Sequence, residues 1–197
     1  MEVLRDCLPS SVQRTLMELP ETLDETYKRI LKEVKKPNRD LARRVLQCLV
    51  VATRPLRVAE LAEVLAVDFD DTEGIPRLNP DGRWEDQEQA LLIACSSLIA
   101  VVEAGHSDSM SETADGGSHV EVDDLRIVQF SHFSVKEFLT SSRLATASEE
   151  VSNYHINLEP AHVILGQACL GVLLHIQDDV EERTPKDHPL ARYAAEH

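Results

Sequence analysis

Between residues 38 and 140 the spacing of apolar residues passes from the three-and-four repeat of helices to the two-residue repeat of strands and back again. NRDLARRVLQCLVVAT sets Leu41, Val45, Leu46, Leu49 and Val50 on one helical face, and Arg54-Pro55 stops it, because a proline ring disfavours helical geometry in the residue before it. VAELAEVLAVD follows with Val58, Leu61, Ala62 and Leu65 in register, and then residues 68–84, DFDDTEGIPRLNPDGRW, carry the Gly, Pro and Asp of a loop. EDQEQALLIACSS reads as a third helix whose leading acidic residues suit its N-terminal dipole. SLIAVVEA and DLRIVQFS read as strands, the second alternating imperfectly around Arg126 and Gln129.

The order is helix, helix, loop, helix, strand, strand, helix, which predicts a winged helix: three helices and a two-stranded wing. The whole chain is expected to be mainly α. Residues 1–36 form a helical connector, in which SSVQRTLMEL is interrupted at Pro20. ETLDETYKRILKEV resumes with a Thr22/Glu25 capping box and an apolar face of Leu23, Tyr27, Ile30, Leu31 and Val34. Residues 37–142 form the winged helix, with a long acidic wing loop at 104–124 whose polar run, GHSDSMSETADGGSHVEVD, is too long for an ordinary hairpin turn and is expected to lack order. Residues 143–197 begin a further helical layer: a polar connector, an apolar helix over 158–176, an acidic break at DDVEERTPKD and a last helix in HPLARYAAEH. No internal repeat is visible.

Charge narrows the function. The formal net charge is −15 and the pI about 4.9, whereas binding to nucleic-acid phosphate needs clustered Lys and Arg. The third helix, which would enter a DNA groove, carries Glu85, Asp86 and Glu88 and no basic residue. Arg43-Arg44 is the one tight basic pair nearby, and a solvated helix face explains it. DNA and anionic membrane surfaces are therefore not the expected partners. With 43% apolar residues but only 4% aromatics, packing falls to Leu, Val, Ile and Ala.

Cys7, Cys48, Cys95 and Cys169 lack zinc-ligand spacing and lie in apolar or helical stretches, as buried free thiols of a reducing compartment would. The N-terminus has neither the basic nor the apolar region of a signal peptide. The apolar run at 164–174 is shorter than the roughly 20 residues a bilayer needs. A cytoplasmic protein is expected.

Catalytic signatures are missing too. GxxxxGK[ST], GxGxxG and GxSxG do not occur, and the eight histidines form neither HExxH nor a metal-ligand pair. Ser131, His132 and Glu137 are close in sequence, but a nucleophilic site also needs an oxyanion hole and a shaped pocket. The chain is not expected to be an enzyme, and no metal site is expected.

LPETLDETYKRILKEV, RPLRVAELAEVLAVD, CSSLIAVV, FSHFSVKEFL and PLARYAAEH occur in that order. Together they resemble the region following the NTPase core in fungal NACHT-type signalling ATPases, the NLR-like (STAND) proteins that often end in ankyrin repeats. That region includes the winged helix also associated with GPI inositol-deacylase. The resemblance implies a module that folds back on the nucleotide-binding domain and holds the ADP-bound resting state. It also implies that the histidine of an FxHxSxxEF pattern reaches the ADP phosphates. Here the pattern falls on Phe130, His132, Ser134, Glu137 and Phe138, and makes His132 the cofactor-sensing candidate.

ATP or ADP would be held by an upstream NTPase domain, since this chain has no Walker motif, and C-terminal repeats would be the other intramolecular partner. TPLHxA, the mark of ankyrin repeats, is not in this chain. The residues by themselves also allow His132 to be a core histidine donating to a backbone carbonyl. On that simpler reading Ser134 caps the helix VKEFL, Glu137 faces solvent or an arginine, and Phe130, Phe133, Phe138 and Leu139 belong to the core. The expectation is a non-catalytic regulatory module of a NACHT-type ATPase; the alternative is a free-standing interaction scaffold with no nucleotide link.

Overall fold

The structure, a computed structural model, describes residues 23–69, 76–95, 97–104, 126–178 and 188–196. Helix α1 (Leu23–Glu33) buries Tyr27 and Leu31, half-buries Ile30 and Val34, and leaves Leu23 in solvent. Thr22, the first half of the expected capping box, and the segment SSVQRTLMEL lie outside the described residues. A single 3-10 turn, Lys36–Asn38, has Pro37 in its first turn and leads into α2 (Arg39–Val51). Ala42, Val45, Leu46, Cys48 and Val50 of α2 point into the core. The helix stops at Ala52, three residues before Pro55.

A two-residue strand that the sequence does not announce, β1 (Leu56–Arg57), comes next and turns directly into α3 (Val58–Leu65). β2 (Val67–Asp68) and β3 (Arg77–Leu78) pair antiparallel, with Val67 opposite Leu78. The expected loop at 68–84 therefore contains a strand and, at Pro80–Gly82, a 3-10 turn held by Asn79 Oδ1 accepting from the Asp81 N–H at 3.1 Å. Helix α4 (Gln87–Cys95) precedes β4 (Ile99–Glu103), and β5 (Arg126–Phe130) returns antiparallel to it, with Val101 opposite Val128. β1 adds to the other side of β5, Leu56 facing Val128, to give the order β1-β5-β4. Three helices, α2, α3 and α4, backed by this three-stranded sheet make a winged helix. The acidic wing loop lies outside the described residues.

α5 (Phe133–Leu139) covers the helix expected in VKEFL, and the expected polar connector after it contains two one-turn helices, α6 (Ser142–Ala145) and α7 (Glu149–Ser152). Leu144, Val151, Tyr154 and Ile156 are buried, so a segment with polar composition is drawn into the core by four well-spaced apolar residues. α8 (Leu158–Asp178) then runs across α2 and the β2–β3 hairpin, and α9 (Pro189–Glu196) packs on α8 and α3. One cluster of buried side chains runs from Tyr27 to Tyr193.

Where α8 passes the hairpin, Gly171 is the contact. A Cβ there would meet the Pro76 carbonyl oxygen at 2.9 Å and its carbon at 3.1 Å, both backbone atoms that cannot rotate away. At Gly166 the same Cβ would meet nothing within 4 Å. Gly171→Ala is expected to destabilise the fold by about 1–2 kcal/mol, overpacking outweighing the gain in helix propensity. Gly166→Ala is expected to stabilise it by up to about 1 kcal/mol, propensity acting alone. Thermal melts of the two variants in dilute solution check the contrast.

Candidate functional site at the start of α5

The FxHxSxxEF residues sit where β5 hands over to α5. Phe130, the last residue of β5, pairs with Ile99 and is half-buried. Ser131 is fixed to the end of β4 by two bonds: its N–H donates to the Leu98 carbonyl at 3.0 Å and its hydroxyl to the Ser97 carbonyl at 3.1 Å. His132 then takes an extended conformation (φ −152°, ψ 145°) and becomes the N-cap of α5, its Nδ1 accepting from the Ser134 N–H at 3.3 Å. The ring is exposed. The expectation of a core histidine is overturned, and so is that of Ser134 as the cap, because α5 starts at Phe133, two residues earlier than a serine cap requires.

Ser134 works as a link instead. Its hydroxyl lies 2.6 Å from His132 Nδ1 and 2.7 Å from the Tyr27 hydroxyl. Tyr27 is buried in α1 and packs its ring against Phe138 at 5.4 Å between centroids. An exposed imidazole is thus tied to the core through Ser134, Tyr27 and Phe138. With Nδ1 accepting from a backbone N–H, the proton of the neutral ring resides on Nε2. The result is a hydrogen-bond donor of fixed orientation on a rigid turn, suited to an anionic oxygen.

Phe133 departs from its expected place in the core. It is 72% exposed and lies against the His132 ring at 4.3 Å between centroids. The helix explains it: Val135, Phe138 and Leu139 form the buried stripe, and a residue two before Val135 points to the opposite side. Glu137 is exposed, as read.

Elsewhere several ionisable groups are committed to structure. Glu60 and Glu63 of α3 are both buried. Arg54 grips Glu60 with two guanidinium nitrogens, at 2.8 and 2.9 Å, while the Arg57 N–H donates to the same carboxylate at 2.8 Å. Glu63 accepts from Arg83 and, at 2.7 Å, from the Leu190 N–H at the start of α9. Their spacing in VAELAEVLAVD looks like an ordinary polar face, and only Glu60, three residues after the N-cap Arg57, carries a capping signal.

Arg44 is less free than a solvated helix face would make it. It donates to the Val67 carbonyl at 3.2 Å and stacks on Phe69 at 4.4 Å. Glu88 of α4 pairs with Arg126 of β5. Burial pushes the thiols of Cys48 and Cys95 up to about 12 and that of Cys169 up to about 11, so they stay protonated and weakly reactive at neutral pH. Cys7 lies outside the described residues. Among the described residues no three His, Cys, Asp or Glu side chains gather as a metal site. An open groove of about 900 Å³ runs between α1 and α4, over Ile30, Val34, Leu92 and Ile93.

Comparison with known proteins agrees with the winged-helix fold. Residues 28–116 match the family described as GPI inositol-deacylase, winged helix domain. That match ends before β5, the central strand of the sheet, and before the His132 turn. The chain is also 33% identical over 188 residues to "Azaphilone pigments biosynthesis cluster protein L" of Monascus ruber, a stretch covering 92% of this chain and 35% of that protein. The chain thus spans about a third of the length of that relative. No solved structure matches.

Proposed function

We propose that this region is a non-catalytic regulatory module of a NACHT-type signalling ATPase, in which His132 reads the nucleotide state of an NTPase core. The observation that carries the reading is the His132 turn: an exposed imidazole whose recorded bonds are both made by Nδ1, leaving Nε2–H as the donor to present. ATP or ADP would be held by the NTPase domain and not by this chain. His132 would donate to a phosphate oxygen in the resting state and lose that partner when the module swings away. Its differential contact would then bias a rigid-body equilibrium. The continuous core from α1 to α9 suits such a lever, since a displacement at α5 is carried to α9, on which C-terminal repeats would stack. The setting would be cytoplasmic, and neither nucleic acid nor membrane would be a partner.

A second reading, a free-standing interaction scaffold, is favoured by the open groove between α1 and α4, lined by apolar and charged side chains alike, which a protein partner could fill without any nucleotide. Mapping both ends of the transcript separates the two. A P-loop encoded in frame upstream supports the switch module. A frame that begins at Met1 and ends after His197 leaves His132 nothing to read and makes the scaffold the better account.

A further inference from the structure

Helix α8 is apolar on both sides. Ala161, Leu165, Ala168, Gly171 and Val172 are buried toward the molecule, yet Val163, Leu170 and Leu173 stand 54%, 49% and 40% exposed. Gly166 and Gln177 are exposed between and beyond them, and at 3.6 residues per turn all five fall along one stripe. By length and composition Leu158–Gln177 could cross a membrane, longer than the run at 164–174 suggested, because residues 158–163 and 175–177 extend it at both ends without Lys or Arg. Its other side is packed on α2, α9 and β3, so it lies on the protein as an uncovered face. A helix that is apolar all round is ordinarily enclosed.

We propose that this stripe pairs antiparallel with its counterpart in a second copy of the chain, about a twofold axis between Gly166 and Leu170. Charge selects that occupant. The chain carries −15, but residues 160–177 contain no Lys, Arg, Asp or Glu, so this is a surface on which two copies can meet without like charges in contact. Shape agrees with it. An axis midway between 166 and 170 sets Val163 against the second copy's Leu173, and Leu170 over the second copy's Gly166, where nothing lies within 4 Å of the missing Cβ. Each pair occurs twice, as an isologous contact requires. The stripe runs about 21 Å along the helix, at 1.5 Å per residue. A strip one helix wide and of that length covers less than the ~800 Å² per partner that a stable interface buries, so the dimer is a weak one.

Sedimentation of the full chain from low to high micromolar concentration tests this. The expected result is a monomer–dimer equilibrium that tightens as salt is raised, because screening relieves the repulsion between two acidic bodies. Leu170→Glu should weaken the dimer at least about tenfold while leaving the circular dichroism and melt of the monomer unchanged, since the side chain is half in solvent. Gly166→Leu should weaken it similarly by filling the hollow under Leu170, and adding Leu170→Gly should restore it by exchanging knob and hollow. A wild-type chain that stays monomeric throughout overturns the proposal, whether or not it binds phosphatidylcholine vesicles. So does a dimer indifferent to Leu170→Glu, or a double variant no better than Gly166→Leu.

Discussion

Arg54→Ala is expected to lower the stability of the chain by about 3–5 kcal/mol, the usual cost of removing one partner from a buried ion pair. Glu60 is 1% exposed and its carboxylate has been taken out of water on the strength of two guanidinium bonds and one backbone N–H. Without Arg54 a buried charge is left with a single donor. The loss spreads, because the same guanidinium bonds Glu196 at 3.1 Å and stacks on Tyr193 at 4.7 Å, and those contacts hold α9 to the start of α3. Hydrogen bonding by Glu60 raises the Arg54 pKa above its ordinary value. A raised cation pKa contributes stability that is complete below the unfolded-state value and fades only as pH rises through the folded one, so the contribution is fully present at neutral pH. Urea denaturation at pH 7 is the measurement. Since whole domains are stable by only about 5–15 kcal/mol, much of the variant should be unfolded at 37 °C.

Phe138→Ala is expected to cost about 3–5 kcal/mol as well, by a different route. Phe138 is 1% exposed and its ring packs on Tyr27, so truncation opens a cavity at the joint between α1 and α5. The surroundings cannot collapse into it freely: Tyr27 is held by Ser134, and the Ile156 N–H donates to the Leu139 carbonyl at 2.9 Å. Phe138→Leu, which refills most of the space, should cost roughly 1 kcal/mol. In proteins that survive the truncation, the His132 ring should lose its fixed orientation, read as averaging of its proton NMR signals, because the chain from imidazole through Ser134 to Tyr27 ends on this phenylalanine.

What was legible in the sequence was whatever repeats along an element. Val45, Leu46 and Val50 of α2, Leu61 of α3 and the wing strands announce themselves by period, and the order of those periods carries the fold. What was not legible depends on contacts distant in sequence. Leu56–Arg57 is too short to have a period and becomes a strand only because Val128 and Ile127 pair with it. Residues 140–157 look polar, and contain two one-turn helices because Leu144, Val151, Tyr154 and Ile156 find the core.

In FSHFSVKEFL the passage from strand to helix was legible, but the geometry of the turn was not. α5 begins two residues earlier than VKEFL, which makes His132 an exposed cap instead of an interior group, and Phe133 is in solvent instead of the core. Nothing local to FSHFSVKEFL could reveal that Tyr27, 107 residues before Ser134, would hold its hydroxyl.

The central claim is that His132 reads a nucleotide, and the most direct test is ADP affinity of the polypeptide joining this region to its NTPase core. The variant to compare with wild type is His132→Asn, whose shorter side chain can still accept from the Ser134 N–H and so keeps the helix cap. A lost hydrogen bond to a charged phosphate predicts ADP binding weaker by about tenfold or more, with the melting temperature of the nucleotide-free protein unchanged. Equal ADP affinity in the two proteins would contradict the account and leave His132 as a helix cap.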